Sequence, residues 1–321
     1  MNALSIDDDP SLARLSDPDA TVRRLAVIDV ADLEDEEYLP ALCGALRDED
    51  ATVRAEAARV LAGWDVAEVV DALAVALTDA DTQVRETAAQ SLSELKDASL
   101  GVRLLPYAKH AQPSVRAGAL RALRELRVPD AAEAAHEALG HADAGVRREG
   151  VAVLGWLRQA SALKALAAIA SGDADAEVRR AATGALGFAE PNDVVDALLK
   201  ALRDPAWPVR EEAATTLAKL RPRAALEALC EAMEDPYWQV RLRAARALGR
   251  VGAREALPVL LTALRHEAGN LRKEVALALG ELGDAEAIPA LEASLTDPDP
   301  EVRKAVRIAL ASIAARTEQA T

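Results

Sequence analysis

The chain of 321 residues contains 74 Ala and 45 Leu but only eight aromatic residues, and its formal net charge is −15. Half of the residues are apolar, which excludes a disordered chain, and no apolar run approaches the roughly 20 residues of a membrane-spanning helix. The acidic balance argues against general affinity for nucleic acid or an anionic membrane, because such affinity needs basic side chains that neutralise phosphates.

The start of the chain and its two cysteines indicate a cytoplasmic protein. Residues 1–12 are acidic and lack the basic-then-apolar order of a secretory signal. Cys43 and Cys230 lie far apart in the sequence, so no disulfide framework is implied and a reducing compartment is expected. Both cysteines fall on apolar helix faces, where they are expected to pack as small hydrophobic residues.

A dipeptide, Val-Arg, recurs along the chain at a spacing of 31 residues, with a single spacing of 32. Leu271-Arg272 fills the one gap in the series, which makes ten copies in register. The valines are Val22, Val53, Val84, Val115, Val146, Val178, Val209, Val240 and Val302. This period predicts one repeat domain over residues 1–321, with residues 1–9 and 316–321 as tails. The repeats are expected at about 10–34, 35–65, 66–96, 97–127, 128–158, 159–190, 191–221, 222–252, 253–283 and 284–315.

Each repeat predicts two helices joined by a short acidic turn. In the first helix, apolar residues precede the valine by 14, 11 and 7 positions, as in Leu257, Leu260 and Leu264. In the second, a small residue and then Leu or Val follow the valine at +4 and +8, as in Ala244 and Leu248. Small residues there let neighbouring helices approach closely, and stacking of hairpins then supplies the core. We expect an all-α fold, with the last helix ending at about Ala315.

The turns contain residues that begin helices. An Asp stands where the second helix needs an N-cap in six repeats, at Asp19, Asp50, Asp81, Asp143, Asp175 and Asp299. Pro113 and Pro300 fall at the first helical position. A backbone N–H at this position has no acceptor within the helix, so its absence in proline breaks no helical hydrogen bond.

Two charged positions accompany every valine. Arg stands at +1 in all ten copies, and Asp stands at −5 in seven, namely Asp17, Asp48, Asp79, Asp173, Asp204, Asp235 and Asp297. We interpret these residues as a ladder of paired charges between repeats. His110, His141 and His266 hold the −5 position in the other three copies. These histidines are interpreted as turn substitutes; the alternative is a histidine-based site.

The pattern resembles that of HEAT repeats. Pro40, Pro258 and Pro289 stand eight residues before the turn residue, which is followed by the Val-Arg pair that opens the second helix. The endings Ala247-Leu248-Gly249 and Ala278-Leu279-Gly280 are similar to those of the phycobilisome-lyase-type HEAT-like subclass. The resemblance implies a right-handed α-α superhelix, a HEAT-like solenoid of about ten 31-residue helical hairpins, whose second helices line a concave surface. It does not imply one particular function.

Motifs for catalysis are missing from the sequence. There is no HExxH, CxxC, GxSxG or glycine-rich phosphate loop, and carboxylates are so evenly spread that no acid–base pair stands out. We therefore expect no catalytic residue, no metal site and no cofactor, and a protein that is not an enzyme. Lyase-type activity is implied only through the family resemblance.

The rare aromatic residues depart from the repeat pattern in one region. Trp207 and Trp238 both stand at −2, one repeat apart, where they are expected to stack, and Tyr237 adjoins the second. Arg243, Arg246 and Arg250 follow off the apolar stripe, and residues 200–254 carry 11 basic and 7 acidic residues. Trp, Tyr and Arg are enriched at interface hot spots. These six residues are our candidate partner-binding site; the alternative is that the Trp rings cover a loop edge between repeats.

The sequence favours a non-enzymatic scaffold or adaptor that binds a partner protein on the concave face. Residues 1–65 carry 16 acidic and 6 basic residues, which would attract a basic partner surface. An alternative from the family resemblance is a maturation factor or chaperone related to phycobilin lyases. Two further alternatives are a DNA-binding HEAT-like protein, which the global charge opposes, and an acidic inhibitor or immunity protein for a basic enzyme.

Overall fold

A computed structural model describes residues 10–319, in which every regular element is helical. The helices fall into two compact units, the first ending at Gln159 and the second beginning at Ala160. This division lies one residue after the predicted boundary between the fifth repeat (128–158) and the sixth (159–190). The all-α fold is confirmed, whereas a single continuous domain stays a prediction. The predicted tail at residues 1–9 lies outside the described residues.

The first unit contains nine α-helices within its described residues. They are α1 (Pro10–Arg14), α2 (Ala20–Ala31), α3 (Leu39–Ala45), α4 (Ala51–Val60), α5 (Ala67–Ala76), α6 (Thr82–Leu92), α7 (Pro113–Glu125), α8 (Ala131–Ala138) and α9 (Ala144–Trp156). The second helices of successive repeats, α2, α4, α6, α7 and α9, pack side by side.

The second unit contains ten α-helices within its described residues. They are α10 (Leu163–Gly172), α11 (Ala176–Ala185), α12 (Pro191–Ala201), α13 (Trp207–Leu220), α14 (Leu226–Ala232), α15 (Trp238–Val251), α16 (Leu257–Ala263), α17 (Gly269–Leu282), α18 (Ile288–Ala293) and α19 (Pro300–Gln319). Here the second helices α11, α13, α15, α17 and α19 form the continuous row.

The core consists of the residues that the repeat pattern assigns to it. The register valines Val53, Val84 and Val240 and the following Ala244 and Leu248 are each at most 1% exposed. Close approach of helices is visible at Gly249, where an added Cβ would lie 2.7 Å from Ala278 Cα, and Gly280 makes the same approach to Ala309. The ALG endings therefore contain glycine because the next helix backbone leaves no room for a side chain.

The predicted N-caps are all present. The carboxylates of Asp19, Asp50, Asp81, Asp143, Asp175 and Asp299 each accept a hydrogen bond from a backbone N–H of the following turn, at 2.8–3.0 Å. Pro113 and Pro300 begin α7 and α19, as predicted.

Two element predictions need correction. In the fourth repeat the first helix is replaced by two 3-10 segments, Ala98–Leu104 and Tyr107–Lys109, on either side of Pro106, whose ring and missing N–H disfavour a continuous α-helix. The last helix continues to Gln319, four residues beyond the predicted end. Its final turn is held because Arg316 Nη1 donates to the carbonyl oxygen of Glu281 at 2.6 Å.

Candidate partner-binding surfaces

The predicted charge ladder joins neighbouring repeats through bidentate ion pairs. In each of five rungs, the Arg at +1 donates from Nε and Nη2 to the two carboxylate oxygens of the Asp in the next repeat, at 2.6–3.0 Å. Nη1 of the same Arg donates to carbonyl oxygens of its own turn, so one guanidinium fixes two turns. The rungs are Arg23–Asp48, Arg54–Asp79, Arg179–Asp204, Arg210–Asp235 and Arg272–Asp297.

The three histidines at −5 take over half of the aspartate's role. Nδ1 of His110, His141 and His266 accepts the backbone N–H two residues later, at 3.0–3.1 Å, as the aspartate Oδ1 does in the other turns. The interpretation as turn substitutes is confirmed. A neutral imidazole has only one acceptor nitrogen, however, so it cannot also accept from the arginine. Within the described residues, the buried Nε of Arg85 and that of Arg241 have no hydrogen-bond partner.

An aromatic edge lies next to the rung of Arg210. It consists of Trp207, the first residue of α13, and Tyr237 and Trp238, the N-cap and first residue of α15. The rings of Trp207 and Tyr237 are stacked, with centroids 5.5 Å apart and planes at 17°, and the Arg210 guanidinium lies 5.6 Å from the Tyr237 centroid. Trp207 therefore contacts the next repeat as expected, but its stacking partner is Tyr237 and not the predicted Trp238. Tyr237 is 45% exposed and Trp238 is 52% exposed.

The arginine row, Arg243, Arg246 and Arg250, is ion-paired to neighbouring second helices. Arg243 contacts Glu211 at 3.1 Å, and Arg246 forms a bidentate pair with Glu274 at 2.5 and 2.9 Å. The hydrogen bonds to Glu274 hold the pKa of Arg246 above its ordinary value. Arg250 lies 4.0 Å from Glu281, the longest of the three contacts. The row is thus a set of helix-to-helix contacts rather than three unpaired cations.

The six predicted residues divide into two groups. Eight residues of α15, or about 12 Å of helix rise, separate Trp238 from Arg246. The aromatic edge lies at the helix starts, whereas the arginine row lies farther along, on the face that the second helices form together. Arg246 and Arg250 line a cavity of about 310 Å³ on that face, together with Glu274, Glu281 and the exposed Ile308.

Sequence reasoning missed the acidic partners of the second helices. Glu149, which is 4% exposed, accepts from Arg121 and Arg124, just as the buried Glu274 accepts from Arg246. The Arg121–Glu149 and Arg246–Glu274 pairs share one spacing, with the Arg at +6 and the Glu at +3 of the next repeat, 28 residues later. That spacing is the signal that could have revealed them.

Glu212 occupies the same +3 position but faces a glycine. Gly184 stands at +6 in the preceding repeat, and a Cβ added there would lie 2.8 Å from Glu212 Oε1. Burial raises the pKa of Glu212 above its ordinary value. The carboxyl group is therefore packed against backbone where the other two junctions have an arginine.

The two cysteines and the possible metal ligands are candidate reactive groups of the chain. Burial raises the pKa of the Cys43 thiol to about 11 and also raises that of Cys230, so both favour the unreactive thiol. Within the described residues, no group of three or more His, Cys, Asp or Glu side chains is arranged to hold a metal ion. In the same part of the chain, no helix combines the length and apolar character needed to cross a membrane.

Comparison with protein families matches the chain to the model described as HEAT repeats, over residues 9–93, 101–187, 163–238 and 226–311. No curated protein sequence matches the chain. This match does not separate subclasses, so the phycobilisome-lyase-type assignment stays a prediction.

Solved structures support the same fold. An engineered protein is 22% identical with a TM-score of 0.55, and the match covers 95% of this chain and 98% of that one. YIBA_ECOLI, from Escherichia coli as its name indicates, is 19% identical with a TM-score of 0.52, covering 93% and 99%. Kap95p, described as binding RanGDP, is 15% identical with a TM-score of 0.58, covering 95% of this chain and 54% of that one. At these identities the likeness concerns the fold.

Proposed function

The chain belongs to the HEAT-repeat family, and on that premise we propose that it is a non-enzymatic scaffold that binds a partner protein. The aromatic edge is the main anchor. Kap95p is described as binding RanGDP, and Kap121p, 14% identical with a TM-score of 0.54, as bound to Nup53p. We propose that this chain also binds a protein, but we do not propose that it binds RanGDP or Nup53p.

The observation that carries this proposal is the exposed aromatic edge. Three of the eight aromatic residues of the chain lie at adjacent helix starts, although small residues or Pro hold the −2 position in most other repeats. The core therefore does not require them. Tyr237 and Trp238 expose about half of their surface. The stack of Trp207 on Tyr237, with Arg210 beside it, holds the Trp207 and Tyr237 rings in place before a partner arrives. Rigid aromatic anchors lose little conformational entropy on binding.

Charge distribution adds a second feature to the proposed partner surface. Residues 200–254 carry a net charge of +4 (11 basic minus 7 acidic), whereas residues 1–65 carry −10 (6 basic minus 16 acidic). We expect the partner to place acidic or neutral groups near the aromatic edge and a basic surface against the N-terminal third. Such complementarity sets orientation and association rate more than affinity.

The arginine row is proposed as the extension of this surface along the second helices. Arg250 is the member most available to a partner, because its nearest carboxylate is 4.0 Å away and it lines the cavity of about 310 Å³. A partner side chain entering that cavity would contact Arg250 and Ile308, while Arg246 and Glu274 remain hydrogen-bonded to each other.

The proposal is tested by capturing partners from native lysate of the source organism. We expect the double substitution Trp207→Ala and Trp238→Ala to lose the specific partner that the unaltered chain retains. Trp156→Ala is the matched control, because Trp156 is 51% exposed and lies under the Arg127 guanidinium at 5.0 Å, but belongs to the other unit. Equal recovery by the double variant and by the control, with unchanged circular dichroism, would remove the aromatic edge as the binding site.

A further inference from the structure

The ladder has an interrupted rung beside the aromatic edge. At the junction between the repeats of α15 and α17, the arginine is Arg241 and the residue at −5 is His266. Arg241 keeps the position of an intact rung, because its Nη1 donates to the carbonyl oxygens of Asp235 and Pro236 at 2.7 and 3.4 Å. Its Nε, which elsewhere donates to an aspartate, is buried and has no acceptor in the described part of the chain.

His266 cannot supply the carboxylate acceptor that an aspartate supplies in an intact rung. Its Nδ1 accepts the Ala268 N–H at 3.0 Å and therefore carries no proton, which places the proton of the neutral ring on Nε2. Arg241 and His266 thus both carry N–H donors at this junction, and within the described residues Arg241 Nε lacks the carboxylate partner found in the five rungs given above.

Both residues line a cavity of about 210 Å³. Arg241, Arg265 and His266 line it, and Glu234 is the one acidic residue in its lining. Thr262 adds a hydroxyl group, while Met233, Val259, Ala263 and Leu271 supply an apolar wall. Basic groups beside a partly apolar wall favour a small organic anion.

We propose that this cavity binds a carboxylate group, which pairs with the Arg241 guanidinium as the aspartate carboxylate pairs with arginine in an intact rung. A planar carboxylate can pair with Nε and Nη2 of a guanidinium through two parallel hydrogen bonds, and five junctions of the same chain show that geometry. The group comes either from a free small carboxylate or from an Asp or Glu side chain of a bound polypeptide. Trp238 lies one helical turn before Arg241, so a polypeptide on the aromatic edge passes within reach.

The junction of Arg85 and His110 provides an internal comparison. Among the described residues, the buried Nε of Arg85 also has no acceptor, but its Nη2 donates to Thr82 Oγ1 at 2.8 Å. Trp238 stands three residues before Arg241, the position that Thr82 holds relative to Arg85. The Trp238 side chain cannot accept a hydrogen bond from the arginine, because an indole has only an N–H donor. One donor of Arg85 is therefore already occupied, and that junction serves as the control.

The experiment follows the ring ¹⁵N resonances of the histidines in the full chain during titration with two probes. One probe is acetate, the other is the capped tripeptide Ac-Gly-Asp-Gly-NH2, and chloride at matched ionic strength is the blank. We expect a saturable shift of the His266 ring that chloride does not produce. His266→Asp should abolish binding and raise the melting temperature, because the new carboxylate completes the rung. His110→Asp should leave the His266 response unchanged.

Saturation by both probes supports a site for free carboxylates, and saturation by the tripeptide alone supports a polypeptide side chain. The proposal is overturned if neither probe saturates, if chloride produces the same shift, or if the His266→Asp variant responds as strongly at the neighbouring backbone amides as the unaltered chain. Because both probes are small molecules, the result does not depend on the proposed partner-binding function.

Discussion

The aspartate at −5 serves two hydrogen-bonding roles with one side chain. In Asp204, Oδ1 accepts the Ala206 N–H at 2.8 Å, and both oxygens accept from Arg179 at 2.6 and 2.9 Å. Burial by itself raises the pKa of this carboxyl, but the hydrogen bonds and nearby arginines outweigh it and hold the pKa below its usual range. This double role explains why the repeat retains Asp, and why histidine, which can perform only the first role, interrupts a rung.

Asp204→Asn tests how much one rung contributes to the free energy of unfolding. The amide oxygen can still accept the Ala206 N–H, but Arg179 loses its charged partner in a site where the Asp204 side chain is 7% exposed. We expect the free energy of unfolding to fall by about 3 kcal/mol, as for breaking one side of a buried ion pair. Urea denaturation followed by circular dichroism measures the change.

Asp196→Asn is the control, because Asp196 is exposed on α12 of the same repeat. Its effect should stay within about 0.5 kcal/mol. Equal denaturation midpoints for the two variants would show that the rung does not contribute to stability.

At the scale of elements, regular features were predictable and irregular ones were not. The N-caps and the rungs follow from residues that recur every 31 positions, so a pairing repeated in register had to join neighbouring repeats. In the fourth repeat, the replacement of the first helix by 3-10 segments depends on Pro106. The periodic pattern does not reveal it, because Pro106 occurs in one repeat only. The length of α19 depends on Arg316 reaching the Glu281 carbonyl, a contact between repeats that spacing alone does not reveal.

The rungs predict how stability depends on pH. Hydrogen bonds from the paired arginines hold the pKa values of Asp48, Asp79 and Asp297 below the ordinary value of 3.8. A carboxyl whose pKa is lower in the folded state contributes stability that is fully present above its unfolded pKa and is lost as pH falls through the folded pKa. We therefore expect the free energy of unfolding to fall steeply below about pH 4, near the unfolded pKa of Asp. Denaturation series at pH 7, 5, 4 and 3 measure it, and a flat profile down to pH 3 would contradict the role of the rungs.

At the scale of the whole molecule, the sequence predicted the candidate site residues but not all of their contacts. Trp207, Tyr237 and Trp238 were found because they break the repeat pattern, and they do lie together at one edge. The partners of Arg243, Arg246 and Arg250 were missed because Glu211, Glu274 and Glu281 belong to other repeats. Predicting those ion pairs requires knowing how two helices from different repeats are placed against each other.

Affinity for the captured partner tests the central claim most directly. Once a partner is identified, isothermal titration calorimetry compares the unaltered chain with the Trp238→Ala and Trp156→Ala variants. Loss of a central aromatic anchor should weaken binding at least about tenfold, the range typical of an interface hot spot, whereas Trp156→Ala should leave the Kd within about twofold, because surface substitutions away from an interface have small effects. Equal affinity of Trp238→Ala and the unaltered chain would contradict a partner site at the aromatic edge.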